Sequence, residues 1–187
     1  LSTTDSNDVS QIRFSTDDSN WSSAENYSPI KSYTLASDGT KAVYVQFADS
    51  AGNWSSSYSD SITLDTISPL VSSATSTTAD GYYISGSAID VTVNFSEPVS
   101  TNGLTITLST GVTVTTGALS NVTTWSGTYT VGAGNASSDL TINSIAGTIV
   151  DLAGNSTTNP TVPSGQNISD SRNIIVDTTS PTITNAT

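Results

Sequence analysis

The sequence predicts an all-β chain built from tandem β-sandwich modules. Three observations predict it. First, ITLDTISP at residues 62–69 returns as IIVDTTSP at residues 174–181, and the likeness runs on through LVSSAT at 70–75 and TITNAT at 182–187. Second, DSAGN at 49–53 and DLAGN at 151–155 precede the two copies in the same order. Ordered motifs that recur in order mark tandem modules. Third, short apolar–polar alternations separated by turn residues fill the chain, and helical periodicity is absent. The first module is expected over residues 1–66 and the second over 67–179. Residues 180–187 read as the start of a following module.

Each element has a local reason. In residues 41–49, Val43, Val45 and Phe47 fall on one face, as in a half-buried strand. Residues 50–53 form a tight turn, with Gly52 and Asn53 suited to positive φ. Residues 59–65 return through Ile62 and Leu64. Upstream, residues 9–15 and 32–35 are further strands. In the second module, strands are expected at 70–73, 89–95, 104–108, 112–115, 122–131, 140–145, 148–151 and 173–177. Turn signals stand between them at Asp80-Gly81, Asn102-Gly103, Thr110-Gly111 and Gly132-Ala-Gly-Asn135. Many short strands with regular turns indicate a sandwich. Residues 156–171 read as a longer polar hairpin. The first module lacks the equivalent of residues 69–93, and Leu1–Asp5 resembles only the tail of a second strand. An N-terminally incomplete sandwich exposes apolar surface and a sheet edge. Either the array is longer than this segment, or another copy donates a strand.

Composition narrows the function. The chain has 187 residues, with no Cys, Met or His. Disulfides, zinc–thiolate sites and thiol nucleophiles are therefore excluded, and the commonest general base is missing. Roughly a third of the residues are Ser or Thr. The formal charge is −12, from 16 acidic against 4 basic residues. Such a surface repels phosphate backbones, so no nucleic-acid partner is expected, while divalent cations are attracted. No apolar run reaches the ~20 residues of a membrane span. No signal-peptide pattern opens the chain.

The segments FSTDDSNWS, YTLASDGTKAVYVQFAD and FADSAGNWSSSYSDSITLDTISP resemble the bacterial Ig-like repeats of large surface adhesins. The second module, with VTVNFSEPV, TYTVGAGN, IVDLAGN and IIVDTTSP, resembles a related Ig-like subtype of adhesins and S-layer-type proteins. The resemblance spans nearly the whole chain and rests on motif order. It implies an Ig-like sandwich, export to the bacterial cell surface and a spacer or adhesive role, and it does not imply an enzyme.

Calcium is the candidate ligand, because hard cations take several oxygens from Asp, Glu and Asn. In an Ig-like sandwich, the loop after the second strand and the last hairpin turn share the end where the chain enters. That topology would gather Glu97, Asp151 and Asn155 there, with Asp65 arriving from the first module. By the same logic Asp5, Asp8, Asp49 and Asn53 face a preceding module and Asp177 a following one. A second reading fits the same residues: Asp in DxAGN caps its own turn through backbone N–H groups.

Trp21, Trp54, Trp125 and Tyr82-Tyr83 suit either packing or stacking on surface glycans. Several Asn-x-Ser/Thr sequons occur, among them Asn20, Asn53, Asn121 and Asn167. An intramolecular Lys–Asn crosslink is excluded in the second module, which has no Lys, and in the first Lys41 is expected to face solvent. No Gly-x-Ser-x-Gly elbow or phosphate-binding glycine loop is present. The expected function is therefore a structural or adhesive spacer whose partners are neighbouring modules. The alternatives are a carbohydrate-binding module and a strand-exchanging filament subunit built from other copies.

Overall fold

The computed structural model describes residues 8–185 and divides after Thr66 into unit 1, Leu1–Thr66, and unit 2, Ile67–Thr187. The described residues are all-β apart from one helical turn.

The described strands of unit 1 form one antiparallel sheet. Its strands are β1 (Val9–Ser15), β2 (Glu25–Asn26), β3 (Gly39–Asp49) and β4 (Tyr58–Leu64), in the order β2-β1-β3-β4. Register explains its two faces. Ile12 stands opposite Phe47 and Phe14 opposite Val45, so one face is apolar. Ile12, Phe14 and Val45 are buried there, with Val43 and Phe47 packed alongside. The same register sets Arg13 opposite Gln46 on the other face. Lys41 differs from expectation. It falls in the alternation row of Val43, Val45 and Phe47, opposite Ile62, and is half-buried.

Residues 32–35, expected as a strand, have no regular structure. Backbone N–H and C=O groups need partners, and no described strand pairs with this segment. It serves the sheet through a side chain instead: the Tyr33 ring lies 5.5 Å from that of Phe14. Tyr27 meets Phe47 edge-on at 5.9 Å. The expected strand tail at Leu1–Asp5 lies outside the described residues.

Unit 2 is a β-sandwich. Its strands are β5 (Val71–Thr75), β6 (Gly81–Tyr83), β7 (Ala88–Thr101), β8 (Thr105–Leu108), β9 (Thr113–Thr115), β10 (Leu119–Thr130), β11 (Ala136–Ser137), β12 (Ile142–Ala146), β13 (Thr148–Val150), β14 (Ser156–Thr158) and β15 (Ile174–Asp177). The long β7 organises one sheet. β10 lines one of its edges, while β5 and the β13–β14 hairpin share the other. Two three-stranded sheets, β12-β8-β9 and β11-β15-β6, complete the unit. They are joined where the Leu140 N–H donates to the Ile174 carbonyl at 2.9 Å. Strict alternation drives Ile89, Val91, Val93 and Phe95 of β7 inward. They meet Leu104, Ile106, Leu108, Tyr129, Ile149, Ile174 and Val176 in one core. Burying each such side chain contributes about 1.5–3 kcal/mol.

Elements of unit 2 also differ from expectation, among them the two-residue strand β11. The hairpin expected at 156–171 pairs only over Ser156–Thr158, because Pro160 and Pro163 cannot donate to a ladder. The chain then makes a single helical turn, α1 (Ile168–Ser171), capped reciprocally by Asn167 and Asp170. β6 was not expected at all. It pairs parallel to β15, with Tyr82 opposite Ile175.

Candidate functional site

Three candidate ligands of unit 2, Glu97, Asp151 and Asn155, stand at the end where its chain begins. The Leu70 N–H donates to Ser96 Oγ at 2.9 Å, and the Ser96 N–H donates to the Leu70 carbonyl at 2.9 Å. This locks the incoming chain beside β7. On the same edge Val150 pairs with Ser100, which brings the turn at 151–155 in from the other side. Glu97 occupies the gap between these two attachments. It was expected in a loop after the second strand, yet it lies within β7, in the row of Phe95 and Val99. Strand pairing on either side of it keeps β7 extended through this point. A carboxylate oxygen of Glu97 and one of Asp151 lie within 4.8 Å of each other.

Asp151 is buried. Its Oδ1 accepts the N–H groups of Gly154 at 2.6 Å and Asn155 at 2.8 Å, and Asn155 Nδ2 donates to Oδ2 at 2.8 Å. Burial alone would raise its pKa, but the bonds from the Asn155 side chain and the turn backbone outweigh it, so the carboxyl is held below its ordinary value. Asp151 is thus an ionised, partly desolvated carboxylate that also caps its own turn.

The same turn recurs in unit 1. Asp49 Oδ1 accepts from the Ala51 and Asn53 N–H groups, each at 2.9 Å, and Asn53 Nδ2 donates to Oδ2 at 2.8 Å. The Asn53 side-chain and backbone bonds, acting against desolvation, lower the Asp49 pKa. The backbone of Asp8 sits nearby: Val9 pairs with Asp49, and Ser50 Oγ donates to the Asp8 carbonyl at 3.5 Å. Asp8, Asp49 and Asn53 therefore share one end of unit 1. Asp5 lies outside the described residues. Asp65 follows β4 and is half-buried, and Asp177 closes β15, exposed.

The Thr after each of these last two aspartates has a clear role. Thr66 bonds the Asp38 carboxylate through its hydroxyl at 2.9 Å and its N–H at 3.2 Å. Thr178 Oγ1 donates to the Asn135 carbonyl at 3.0 Å and accepts from the Gly134 N–H at 3.1 Å. In both units the Asp-Thr pair fixes the departing chain to a loop of its own unit.

One arrangement was missed from sequence. Arg13 is held between two indoles, 4.9 Å from the Trp21 ring and 4.1 Å from the Trp54 ring. Its Nε and Nη2 also donate to Gln46 Oε1 at 2.9 and 2.6 Å. Two matching corners position the indoles. The Ser22 N–H donates to the Phe14 carbonyl and the Phe14 N–H to Ser22 Oγ; Ser55 and Phe47 do the same. Asp17 holds the first corner as Asp49 holds the second, accepting from the Asn20 N–H at 2.7 Å and Asn20 Nδ2 at 2.6 Å. Those Asn20 bonds, with help from Ser19 and Ser15, put the Asp17 carboxyl well below the usual range. The signal was present as Asn-Trp-Ser-Ser at 20–23 and again at 53–56.

The remaining aromatics divide. Trp125 packs on the core of unit 2, lying so close over Gly127 that a Cβ there would stand 2.4 Å from its ring. Tyr83 also packs on that core, and its hydroxyl donates to the Ala79 carbonyl. Tyr82 is 77% exposed. Among the described residues, no helix is long and apolar enough to cross a membrane.

No protein-family model matches the chain, and no curated protein matches it. Among solved structures it is similar to the fibronectin(III)-like modules of Clostridium thermocellum CbhA. The identity is 12% and the TM-score 0.39, over 95% of this chain and 82% of that one. The all-β sandwich reading rests on the sheets described above.

Proposed function

We propose that the chain is a spacer segment of a repetitive, exported bacterial surface protein, with a structural or adhesive role. It transmits load along the array and is stiffened by calcium at module junctions. One observation carries this reading: the Asp-Thr pair that ends β4 and the pair that ends β15 use the Thr in the same way. A departing chain tied back to its own unit limits swivelling, and Ser-Pro next to it restricts the backbone further.

The calcium ligands would be Asp65, Glu97, Asp151 and Asn155. Hard oxygens of this kind suit calcium, and an ionised Asp151 close to Glu97 gains from a cation. Only residues 66–69 separate Asp65 from Leu70, so the chain itself limits how far Asp65 can stand from that end, at about 3.5 Å per residue. Asp5, Asp8, Asp49 and Asn53 would serve a preceding junction and Asp177 a following one. Nothing in this reading calls for catalysis. A glycan-binding role would fall to exposed Tyr82, since all three Trp are engaged internally.

The test is a thermal melt in millimolar calcium and in EGTA, on the chain and on an Asp65→Ala, Asp151→Ala variant. An ion that binds only the folded state raises the melting temperature. A rise of several degrees that the variant loses supports the junction ion. No shift would reduce these acids to turn caps and leave a plain spacer.

A further inference from the structure

Among the described residues, Asn stands before Gly, Ala or Ser at Asn102-Gly103, Asn135-Ala136, Asn143-Ser144 and Asn155-Ser156. Three of these pairs are held by the fold. Asn135 Oδ1 accepts the Tyr129 hydroxyl at 2.9 Å and the Gly132 N–H at 2.7 Å. Asn155 Nδ2 donates to Asp151 Oδ2 at 2.8 Å. Asn143 leads into Ser144, which is paired with Thr107 in its sheet. Asn102 differs. It lies in an exposed bend just past the end of β7, and its side chain makes no hydrogen bond to the described residues. A groove of about 520 Å³, walled by Asn102 with Ser100, Leu119, Thr148 and Val150, brings water to it.

The residue after it matters as much. Gly103 has φ +140°, where the missing Cβ leaves its backbone nitrogen open to the preceding side chain. Its N–H donates to Thr101 Oγ1 at 3.1 Å, a bond within the bend, and it belongs to no strand. The two Asp-Gly pairs of the described residues show the opposite case. Asp80 Oδ1 accepts the Asn173 N–H at 3.1 Å, and the Gly81 N–H donates to the Asn173 carbonyl at 3.0 Å. The Asp38 carboxylate accepts the Thr66 hydroxyl, and Gly39 is paired with Leu64.

We propose that Asn102-Gly103 is a self-modifying site, at which the folded chain converts Asn102 to aspartyl and isoaspartyl forms with water as co-reactant. The Gly103 nitrogen gives its proton to solvent base and bonds to Asn102 Cγ. The Cγ–Nδ2 bond breaks, and Nδ2 leaves as ammonia with a proton from solvent. A cyclic imide remains, and no group is oxidised or reduced. Water then reopens the ring. Attack at Cγ restores the ordinary backbone and leaves an aspartyl side chain. Attack at the Asn102 backbone carbonyl reroutes the chain through Cγ and lengthens it by a methylene. Either product adds a negative charge at the groove. The longer one also strains the entry to Leu104, which is 1% exposed in the core, so unit 2 loosens as the chain ages.

The test incubates the whole chain in heavy-oxygen water and mildly alkaline buffer, once folded and once in urea. Peptide mapping by mass spectrometry locates the heavy oxygen, and an isoaspartyl methyltransferase labels the rerouted product. In the folded chain the heavy oxygen should enter at position 102 before any other Asn. Its rate should lie within about tenfold of that in urea, since an exposed bend needs little opening. Asn102→Ser should abolish the methyl labelling. The side chain it replaces is exposed and unbonded, so the fold should survive, which an unchanged melting temperature would verify. Labelling that enters first at another Asn overturns the proposal. So does a folded rate at position 102 that falls below that range, or methyl labelling undiminished in Asn102→Ser.

Discussion

Unit 1 and unit 2 end in the same motif, but only unit 2 buries it: Ile174 is 0% exposed and Ile62 55%. Unit 2 packs β15 between two strands and over a shared core, so its stability rests on apolar volume. The described part of unit 1 has one sheet, a small cluster of buried apolar side chains (Ile12, Phe14 and Val45), and aromatic contacts from Tyr27 and Tyr33 on that face. It compensates on the other face, where two tryptophans enclose Arg13. A residue's energetic weight is therefore set by which strands lie beside its motif, and the motif alone does not determine it.

The sharpest way to break this comparison is to truncate the shared isoleucine in each copy. Ile174→Ala leaves a cavity in a closed core and should cost about 2–4 kcal/mol. Ile62→Ala removes a side chain more than half exposed and should cost less than about 1 kcal/mol. Urea titrations followed residue by residue by NMR would separate the units. Equal losses at the two positions would mean that β4 is covered as β15 is.

A smaller effect is expected from the cation clamp. Arg13→Ala removes two ring contacts and the bonds to Gln46, and should cost unit 1 about 1–2 kcal/mol. Arg13→Lys should recover part of this, because an ammonium keeps the charge but not the planar fork. The Arg172 side chain in unit 2 donates from Nε to the Ser76 carbonyl at 3.1 Å, with no aromatic ring stacked on it among the described residues, and Arg172→Ala should cost less. Indole emission of Trp21 and Trp54 should shift with Arg13→Ala and not with Arg172→Ala. A silent Arg13→Ala would show that the indoles hold their places without the cation.

These contrasts show where sequence reasoning succeeds. Strands whose alternation is driven by burial, such as Ile89–Phe95 and Val43–Phe47, were legible because each apolar residue has one face to go to. The turns at Asp49 and Asp151 were legible for a similar reason, since Asp, Gly and Asn each have a local backbone role. What was not legible depends on distant partners. Glu97 looks like a loop residue until pairing on both sides of it keeps β7 extended. Lys41 looks like a solvent residue until its register with Ile62 is fixed. The β6 strand is three residues long, and its pairing with β15 reaches across most of the unit. Arg13 carries no pattern of its own; its place follows from two corners brought together by the pairing of β1 with β3.

The subtlest contrast lies in the aspartate turns. Asp17 and Asp49 in unit 1 and Asp151 in unit 2 all have lowered pKa values. A carboxyl more acidic in the folded chain than in the unfolded one stabilises the fold above its ordinary pKa, near 4. That stabilisation fades as the pH falls through the lowered value, because protonation then becomes unavoidable in both states. Asp→Asn variants cannot ionise, so each should melt below the parent at pH 7, and the gap should close as the solution is acidified below pH ~4. For Asp17 it should persist into the strongest acid, since two backbone N–H groups and two side chains hold that carboxylate. For Asp151 burial opposes ionisation, so its gap should close sooner. Melts from pH 7 to pH 2 on the three variants decide this. A gap that stays constant with pH would mean that these aspartates act as neutral hydrogen-bond acceptors, and the turns of the two units would then be equivalent whatever their burial.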